Sequence, residues 1–540
     1  MTKNTYNNFL MENLDYFLRY KRMKRLQIYK LIAILLPLII LVAIELYMRI
    51  GNYGYNTQLF ISDQDTRFWV MNRDISKKYF TISQNATIGN QETFYKEKPP
   101  GTLRFFVLGA SSAIGFPYMH NGAFPRMLKY KLQFLLPENN IEIINVSLTA
   151  INTYTLYDFS KQIVNYQPDG ILIYAGHNEY YGALGVASTS RIGRNSHLIQ
   201  LALASKELKL VQELNMLTDK LGAKDPNLIN PDRTLMERMA AHQLIPYQSG
   251  LFTAGVEQFD RNLRKIFTLY KKHQIPVFIG TLAGNLKGQA PLSNEDSDPY
   301  NAPDEYTQGE QAYQQTQYTE ALQHYMRAKD YDPLRFRAPD IFNQIIRRYT
   351  NEFDNVHVVD VYQIFANHSP NGIIGNELLL EHVHPNLTGH KLIAETFYQA
   401  LANHFFPARN LHQAVSTVNP TDYPTTVFDS IYGDLTINQL RQQWPFNEVP
   451  STLAYDKESF EYKTAEAFFH QQINWGQAMQ RINNHYILAK DDANALRVVE
   501  QMCLELPHEK IFLQQAGSLS IRLGMKEKAD YYFKKAQKYD

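Results

Sequence analysis

The sequence predicts an α/β protein in three layers, with a parallel sheet between two layers of helices. Short apolar runs alternate with helix-patterned segments between residues 101 and 407, and this alternation requires a parallel sheet covered on both faces. An uninterrupted apolar run near the N-terminus predicts a transmembrane helix. Helical patterning at the C-terminal end predicts a further α-helical region. These three observations define the expected architecture.

The elements of the sheet domain follow one another in regular order. Strands are predicted at residues 104–108, 141–146, 170–174, 277–281 and 356–361. Helices are predicted at residues 124–136, 156–166, 256–273 and 387–405. Ligands of such sheets bind beyond the carboxyl ends of the strands, so the segments that follow the strands are the first places to look for a functional site.

Length and composition narrow the classes of function. A chain of 540 residues is too long for one compact core and should divide into two or three units. The net charge of +1 gives no global basic excess, so nucleic acid is not an expected partner. The single cysteine, Cys503, excludes an internal disulfide and cannot form a structural zinc site by itself, so we expect it to be buried.

The N-terminal apolar run predicts a single membrane crossing. Residues 31–44 are uninterruptedly apolar, and their flanks extend the predicted helix to residues 28–50. Six basic residues precede the run: Arg19, Lys21, Arg22, Lys24, Arg25 and Lys30. The positive-inside bias therefore predicts that residues 1–27 are cytoplasmic and that the rest lies outside a bacterial cytoplasmic membrane. A cleaved signal peptide is the alternative interpretation.

The remaining segments are predicted from their patterning. Residues 51–100 are expected to be a lead-in segment, residues 408–457 a linker, and residues 458–540 a helical domain. Helical insertions are expected at residues 185–250, as a lid or substrate wall, and at residues 300–334. The second insertion and the tail share a spacing of small and aromatic residues that resembles a tetratricopeptide repeat. Ordinary helix packing is the alternative. The residues of this spacing are Gly309, Ala321, Tyr325 and Ala328 in the insertion, and Gly517, Ala529, Phe533 and Ala536 in the tail.

Four short segments, in a fixed order, supply the parts that acyl transfer needs. Residues 107–112 place a serine after a strand, and residues 145–150 offer backbone N–H groups at a second strand end. Residues 174–179 contain an asparagine amide, and residues 381–386 contain a carboxylate with two histidines. A serine needs a base in contact with it and donors for the oxyanion, so the combination predicts a serine esterase site.

This combination resembles the SGNH (GDSL-type) hydrolase superfamily over residues 101–407, which implies a flavodoxin-like three-layer fold. In Gly109-Ala110-Ser111 the resemblance makes Ser111 the nucleophile, with Ala110 where the family has Asp. In Glu381-His382-Val383-His384 it makes His384 the base and Glu381 the residue that orients it, in place of the usual Asp. Ser112 and His382 are the alternatives for nucleophile and base.

The resemblance also implies an oxyanion hole. Its donors would be the Ser111 N–H, the Ala150 N–H where the family has glycine, and the Asn178 amide. Alanine can replace that glycine if its φ angle stays negative. The neighbours His177 and Glu179 are expected to be structural, and a purely structural Asn178 is the alternative for that residue.

Three functions fit this pattern. The first is a membrane-anchored, esterase-like or lipase-like hydrolase that acts on an ester-bearing lipid or acylated glycan. The second is an O-acetyltransferase or deacetylase of an envelope glycan, which would use the same residues. The third is an inactive, repeat-bearing assembly protein whose tail binds a protein partner. No cofactor is expected, and no metal is expected because no HExxH segment or His/Cys cluster is present.

Overall fold

The structure, a computed structural model, describes residues 3–189, 195–221, 233–241, 243–293, 299–407 and 423–539. The chain divides into two compact units. The smaller unit joins residues 1–57 to residues 200–223, and the larger unit comprises residues 58–199 and 224–540.

The larger unit is built on a five-stranded parallel sheet, as the sequence predicts. Its strands are β4 (Thr102–Gly109), β5 (Asn140–Asn145), β6 (Gly170–Tyr174), β7 (Val277–Gly280) and β8 (Val356–Val359), in the order β5-β4-β6-β7-β8. Every neighbouring pair is parallel. The chain enters this sheet at β4 and continues to β5 on one side of it and to β6 on the other, so the direction of strand addition reverses at β4. A crevice at the carboxyl ends is expected at this point.

The helices up to the end of the sheet domain are α1 (Lys3–Ile50), α2 (Ser111–Ile114), α3 (Phe124–Leu135), α4 (Thr153–Ile163), α5 (Ser196–Ser205), α6 (Lys209–Leu221), α7 (Leu235–Ala240), α8 (Gly250–Lys272), α9 (Ala302–Gln314), α10 (Tyr318–Tyr331), α11 (Asp340–Glu352), α12 (Val361–Asn367) and α13 (Leu387–Phe405). Of these, α1, α6 and most of α5 belong to the smaller unit. Helix α3 packs against α13, and α8 packs against α4 and α11. The apolar strand residues between these helices are almost fully buried, which explains the continuous apolar runs in the sequence.

The segment of residues 51–100, predicted as a lead-in, contains a small sheet of its own. Short strands β1 (Phe60–Ser62), β2 (Phe68–Met71) and β3 (Thr93–Tyr95) form an antiparallel sheet. Strands of three or four residues are too short to give a readable alternation, and the sequence therefore does not predict them. The ring of Phe94 meets that of Phe106 in β4 at 5.7 Å, so this small sheet packs on the domain core.

The smaller unit contains the predicted membrane segment. Helix α1 includes Tyr16–Ile50, which is long and apolar enough to cross a membrane and only 6% buried. A signal sequence near the N-terminus meets the same criteria. At its end, the Glu45 carboxylate accepts hydrogen bonds from the backbone N–H groups of Lys209 and Leu210 at 3.0 and 2.9 Å. Residues 200–221 of the predicted insertion therefore belong with α1, while residues 190–194, 222–232 and 242 of that insertion lie outside the described residues.

The C-terminal region is helical and belongs to the larger unit rather than to a separate one. Its helices are α14 (Val427–Arg441), α15 (Phe460–Phe469), α16 (Trp475–Leu488), α17 (Asp492–Glu505), α18 (Lys510–Arg522) and α19 (Lys526–Gln537). The predicted linker is wrong for its described part, because α14 occupies it; residues 408–422 lie outside the described residues. Helix α14 begins with a capping box between Thr426 and Asp429, a local signal that the linker interpretation overlooked.

The tail is fixed to the sheet domain through α3. The Arg126 guanidinium contacts both Glu92, at 2.8 Å, and Glu505 at the end of α17. The Glu500 carboxylate accepts from the hydroxyl of Tyr130 on α3 at 3.1 Å. All five side chains are mostly or fully buried. The repeat character of the tail remains a prediction.

Candidate active site

The turn after β4 explains the Gly-Ala-Ser sequence. Strand β4 ends at Gly109, and α2 begins at Ser111. A Cβ atom on Gly109 would lie 2.3 Å from Ala113 Cβ and 2.6 Å from the Tyr174 carbonyl oxygen, so only glycine allows this close approach. The hydroxyl of Ser112 donates to the carbonyl of Val383 at 3.2 Å, whereas Ser111 lines a cavity. The structure thus separates the two neighbouring serines.

The second strand end holds this turn in place. The Asn145 side-chain amide at the end of β5 donates to the Ala113 carbonyl of α2 at 2.9 Å. Its amide oxygen accepts from the Ser147 N–H at 3.1 Å. Asn145 therefore links the turn that carries Ser111 to the loop that carries Ala150.

The loop of residues 381–384 brings two histidines to one carboxylate. Nδ1 of His384 contacts Oε1 of Glu381, and Nδ1 of His382 contacts Oε2. The backbone N–H groups of Val383 and His384 donate to the same carboxylate at 3.3 and 3.2 Å. Glu381 is only 1% exposed, so these donors replace water around its charge. A glutamate can therefore reach both imidazoles from within its own loop.

The loop after β7 supports this arrangement from behind. The backbone N–H of Asn285 donates to the His382 carbonyl at 2.9 Å, and its side-chain amide donates to the Glu381 carbonyl at 3.0 Å. Leu286 in the same loop packs with Ala312, Ala321 and Tyr325 of the α9–α10 hairpin. The predicted insertion of residues 300–334 therefore lies against the support of the histidine loop.

Burial sets the charge state of the histidines. Burial lowers the pKa of His384 to about 3, which keeps its imidazole neutral at pH 7. Burial and the neighbouring His384 lower the pKa of His382 as well. Within the described residues, Nε2 of His384 has no hydrogen-bond partner. A neutral imidazole with a free Nε2 and its Nδ1 held by a carboxylate has the form required of a general base.

The three predicted oxyanion donors line the same cavity as Ser111 and His384. Among the described residues, the backbone N–H groups of Ser111 and Ala150 donate to no partner. The condition of a negative φ angle at Ala150 is not met, because its φ is 58°. Its carbonyl accepts from the Ala183 N–H at 2.8 Å, and this bond helps to hold a backbone conformation that alanine rarely adopts.

The residues on either side of Asn178 have structural contacts. Nδ1 of His177 accepts from the Ala338 N–H at 3.1 Å, and burial lowers the pKa of His177 to about 3. The Glu179 carboxylate accepts from the Thr153 N–H at 3.1 Å and from the Gln258 amide at 2.6 Å. Neither residue lines the cavity, while the half-buried Asn178 does.

The cavity has a volume of about 270 Å³. Its lining residues are Ser111, Phe116, Thr149, Ala150, Asn178, Tyr181, Gly182, Thr234, Leu235, Met236, Met239, Phe336, His382, Val383, His384 and Leu440. Sequence reasoning missed most of the apolar members. They come from distant segments and show no shared motif, so no signal in the sequence could have grouped them.

One group in the described part of the chain has metal-ligand types in close proximity. The ligand atoms of Glu381, His382 and His384 lie within 4.8 Å of one another. Both Nδ1 atoms, however, are directed at the carboxylate oxygens of Glu381. These contacts have the form of the hydrogen bonds in a carboxylate–histidine pair, extended to a second imidazole.

The chain is similar to solved structures of ester-hydrolysing proteins. A GDSL-like lipase from Bacteroides thetaiotaomicron matches with a TM-score of 0.28 and 11% identity, covering 57% of this chain and 92% of that one. A mutant of an acetyl-xylooligosaccharide esterase from Geobacillus Stearmophilus matches with a TM-score of 0.29 and 13% identity, over 57% and 96% of the two chains. An acetyl xylan esterase matches with a TM-score of 0.29 and 11% identity, over 55% and 100%.

No protein-family model matches the chain, and no curated protein matches it. At TM-scores of 0.28 and 0.29, the structural similarity by itself decides neither the fold nor the activity.

Proposed function

We propose that the protein is a membrane-anchored serine esterase that works through an acyl-enzyme on Ser111. One observation carries the proposal: Ser111, Ala150, Asn178 and His384 come from four separate segments and line one cavity. Polar groups without internal partners are costly in a mostly buried site, so their convergence points to a ligand that completes them.

In the first half-reaction, the Ser111 hydroxyl attacks the ester carbonyl carbon while Nε2 of His384 accepts its proton. The imidazolium that forms keeps its Nδ1–H on the Glu381 carboxylate, which orients the ring and stabilises its charge. When the tetrahedral intermediate collapses, the C–O bond to the alcohol breaks. His384 then returns the proton to the leaving alcohol.

The oxyanion of the tetrahedral intermediate would be met by the Ser111 N–H, the Ala150 N–H and the Asn178 amide. Such donors act in a site that excludes water and need no reorganisation during the reaction. Ala150 would present its N–H from a left-handed backbone, although its φ angle is not the negative one expected for an alanine in place of the glycine; such strained residues cluster at functional sites.

In the second half-reaction, His384 takes a proton from water, and the hydroxide attacks the acyl-enzyme carbonyl. Collapse releases the carboxylic acid and returns the proton to Ser111. An alcohol of an envelope glycan in place of water would make the same residues an O-acyltransferase. The acyl-enzyme is common to both reactions.

The membrane anchor is the second part of the proposal. The apolar helix and its six preceding basic residues support an orientation with the C-terminus outside the cytoplasm. An alkaline phosphatase fused to the C-terminus should be active in intact cells, and a green fluorescent protein fused there should stay dark. The reverse result would contradict this orientation.

The direct test of the esterase is covalent labelling of the full-length protein in detergent with a fluorophosphonate. Mass spectrometry should find the adduct on Ser111, and the Ser112→Ala protein should label normally as the matched control. Hydrolysis of p-nitrophenyl acetate by the same samples would give turnover. A protein that neither labels nor hydrolyses any ester would overturn the proposal.

A further inference from the structure

We infer that the cavity beside Ser111 binds the acyl chain of the substrate, and that this chain is of medium length, about eight carbon atoms. The inference rests on the proposed esterase function and adds a substrate class to it. It is carried by the size of the cavity, by the residues that form its wall, and by the way this wall is fixed.

The cavity is larger than an acetyl group requires. An apolar cavity of about 150 Å³ is sufficient to bind benzene, which has six carbon atoms. At the same volume per carbon atom, the cavity of about 270 Å³ has room for the reacting ester group and for an alkyl chain of roughly eight carbon atoms.

The wall of the cavity is apolar and comes from several parts of the chain. Helix α7 contributes Leu235, Met236 and Met239, the segment before α11 contributes Phe336, and α14 contributes Leu440. Among the described residues of this wall, none carries a charge that could recognise a phosphate or a sugar acid. Unbranched methionine side chains adapt to flexible apolar ligands, which suits an alkyl chain better than a sugar ring.

The wall is held in a defined position. Met239 is only 1% exposed, and its carbonyl accepts from the Thr189 N–H at 3.0 Å. The Thr234 hydroxyl at the start of α7 donates to the Trp444 carbonyl at 3.2 Å, which connects α7 to the segment after α14. The apolar space is therefore a built feature of the larger unit.

The acyl side of the ester is the better occupant of such a space. The acyl group remains on Ser111 from the first half-reaction until its release in the second, so an apolar cavity can hold it throughout that time. The alcohol must leave and be replaced by water or another polar acceptor. An apolar wall on the alcohol side would oppose that exchange.

The test measures kcat/KM of the full-length protein in detergent over two ester series. In the first, p-nitrophenyl esters carry acyl chains from acetate to palmitate. In the second, alkyl acetates carry alcohols from ethyl to octyl. We expect kcat/KM to rise about fourfold for each added methylene in the acyl series, to a maximum near octanoate, and to stay nearly flat in the alcohol series.

Two variants on helix α14 test whether the size of the cavity determines the preferred acyl length. Leu440→Trp reduces the cavity and should lower the ratio of octanoate to acetate kcat/KM by at least about 30-fold. Gln439→Trp adds the same side chain at the neighbouring, exposed position and should leave the ratio unchanged. Circular dichroism and fluorophosphonate labelling of both proteins verify that they are folded and competent.

The outcomes separate this inference from the proposed function. If Ser111 is labelled but kcat/KM falls as the acyl chain grows beyond acetate, the acyl-chain inference is wrong. The proposed esterase function would then still hold. A rise in the alcohol series alone would also overturn it. Loss of all labelling and turnover in the unmodified protein would remove the esterase proposal itself.

Discussion

The turn at Ser111 and the loop at His384 face the same cavity, but each treats its pair of candidate residues differently. In the turn, Ser112 donates to the Val383 carbonyl, while Ser111 lines the cavity. In the loop, His382 and His384 bind the two oxygens of one carboxylate, and both line the cavity. Geometry thus distinguishes the serines sharply, whereas the histidines differ only in finer features.

The finer features favour His384 as the base. Its backbone N–H also donates to the Glu381 carboxylate, and its Nε2 is buried without a partner among the described residues. His382 has its ring 6.1 Å from that of Phe336 and 5.4 Å from that of Phe446, within an aromatic surrounding. One carboxylate thus holds two imidazoles in different surroundings, and we propose different roles for them.

We expect the largest change in kcat when Ser111 is replaced, and the neighbouring Ser112 provides the comparison. Ser111→Ala should abolish fluorophosphonate labelling and lower kcat by about 10⁶-fold, because no nucleophile remains. The matched Ser112→Ala should lose one hydrogen bond, worth about 1 kcal/mol of stability, and keep kcat within about tenfold. A dead Ser112→Ala protein beside an active Ser111→Ala protein would exchange the two roles.

Replacing His384 and His382 one at a time should lower kcat by different amounts. His384→Ala should lower kcat as far as Ser111→Ala, since nucleophile and base act as one unit. His382→Ala leaves Oε2 of the buried Glu381 without its imidazole and should cost about 10- to 100-fold in kcat. The comparison is made by steady-state kinetics on p-nitrophenyl butyrate. Equal losses in both variants would contradict the assignment of His384 alone as the base.

Replacing the Glu381 carboxylate, which contacts both histidines, should cause the third-largest loss in kcat. Glu381→Gln removes the charge that stabilises the imidazolium and leaves only one oxygen for two imidazoles, so we expect a loss in kcat of about 10⁴-fold. Glu377→Gln changes an exposed carboxylate near the same loop and serves as the control. A Glu381→Gln protein with normal kcat would show that the carboxylate does not orient the base.

The amide of Asn178 should have a smaller effect. Asn178→Ala removes one oxyanion donor and should lower kcat by about 10²–10³-fold with little change in KM. The split between kcat and KM is the informative measurement. A rise in KM at constant kcat would assign Asn178 to substrate binding instead.

The smallest effect is a shift in the pH profile. Since burial lowers the pKa of His384 to about 3, its imidazole stays neutral as the pH falls below 6.5. The acidic limb of kcat/KM should therefore lie below pH 6.5. In His382→Ala, the whole carboxylate serves His384, so its pKa should rise and the limb should move to higher pH. An unchanged limb in that variant would mean that the two imidazoles do not share the charge.

The sequence predicted those parts that local pattern determines. The strands of the parallel sheet were readable because burial on both faces makes their residues continuously apolar. The turn at Gly109 to Ser111 and the asparagine after β6 follow strand ends, so their convergence could be expected from topology alone. The prediction that they act in catalysis awaits the kinetic tests.

The parts that the sequence did not predict depend on contacts between distant segments. The cavity wall joins Met239, Phe336 and Leu440, which share no spacing and meet only in the folded chain. The hydroxyl of Ser112 donates to a carbonyl 271 residues further along the chain. The sequence therefore could not predict that Ser112 is turned away from the cavity that Ser111 lines. The positive φ angle at Ala150 occurs beside a tertiary hydrogen bond, in which its carbonyl accepts from the Ala183 N–H.

The ion contacts of Arg126 have a consequence for biosynthesis. Its partner Glu92 precedes it in the chain, whereas Glu505 follows it by 379 residues and is therefore translated later. Until then, the guanidinium on α3 lacks one of its two buried carboxylates, and the helix that follows the Ser111 turn lacks its final packing. The packing around α3 can therefore be completed only after the chain has been translated as far as Glu505.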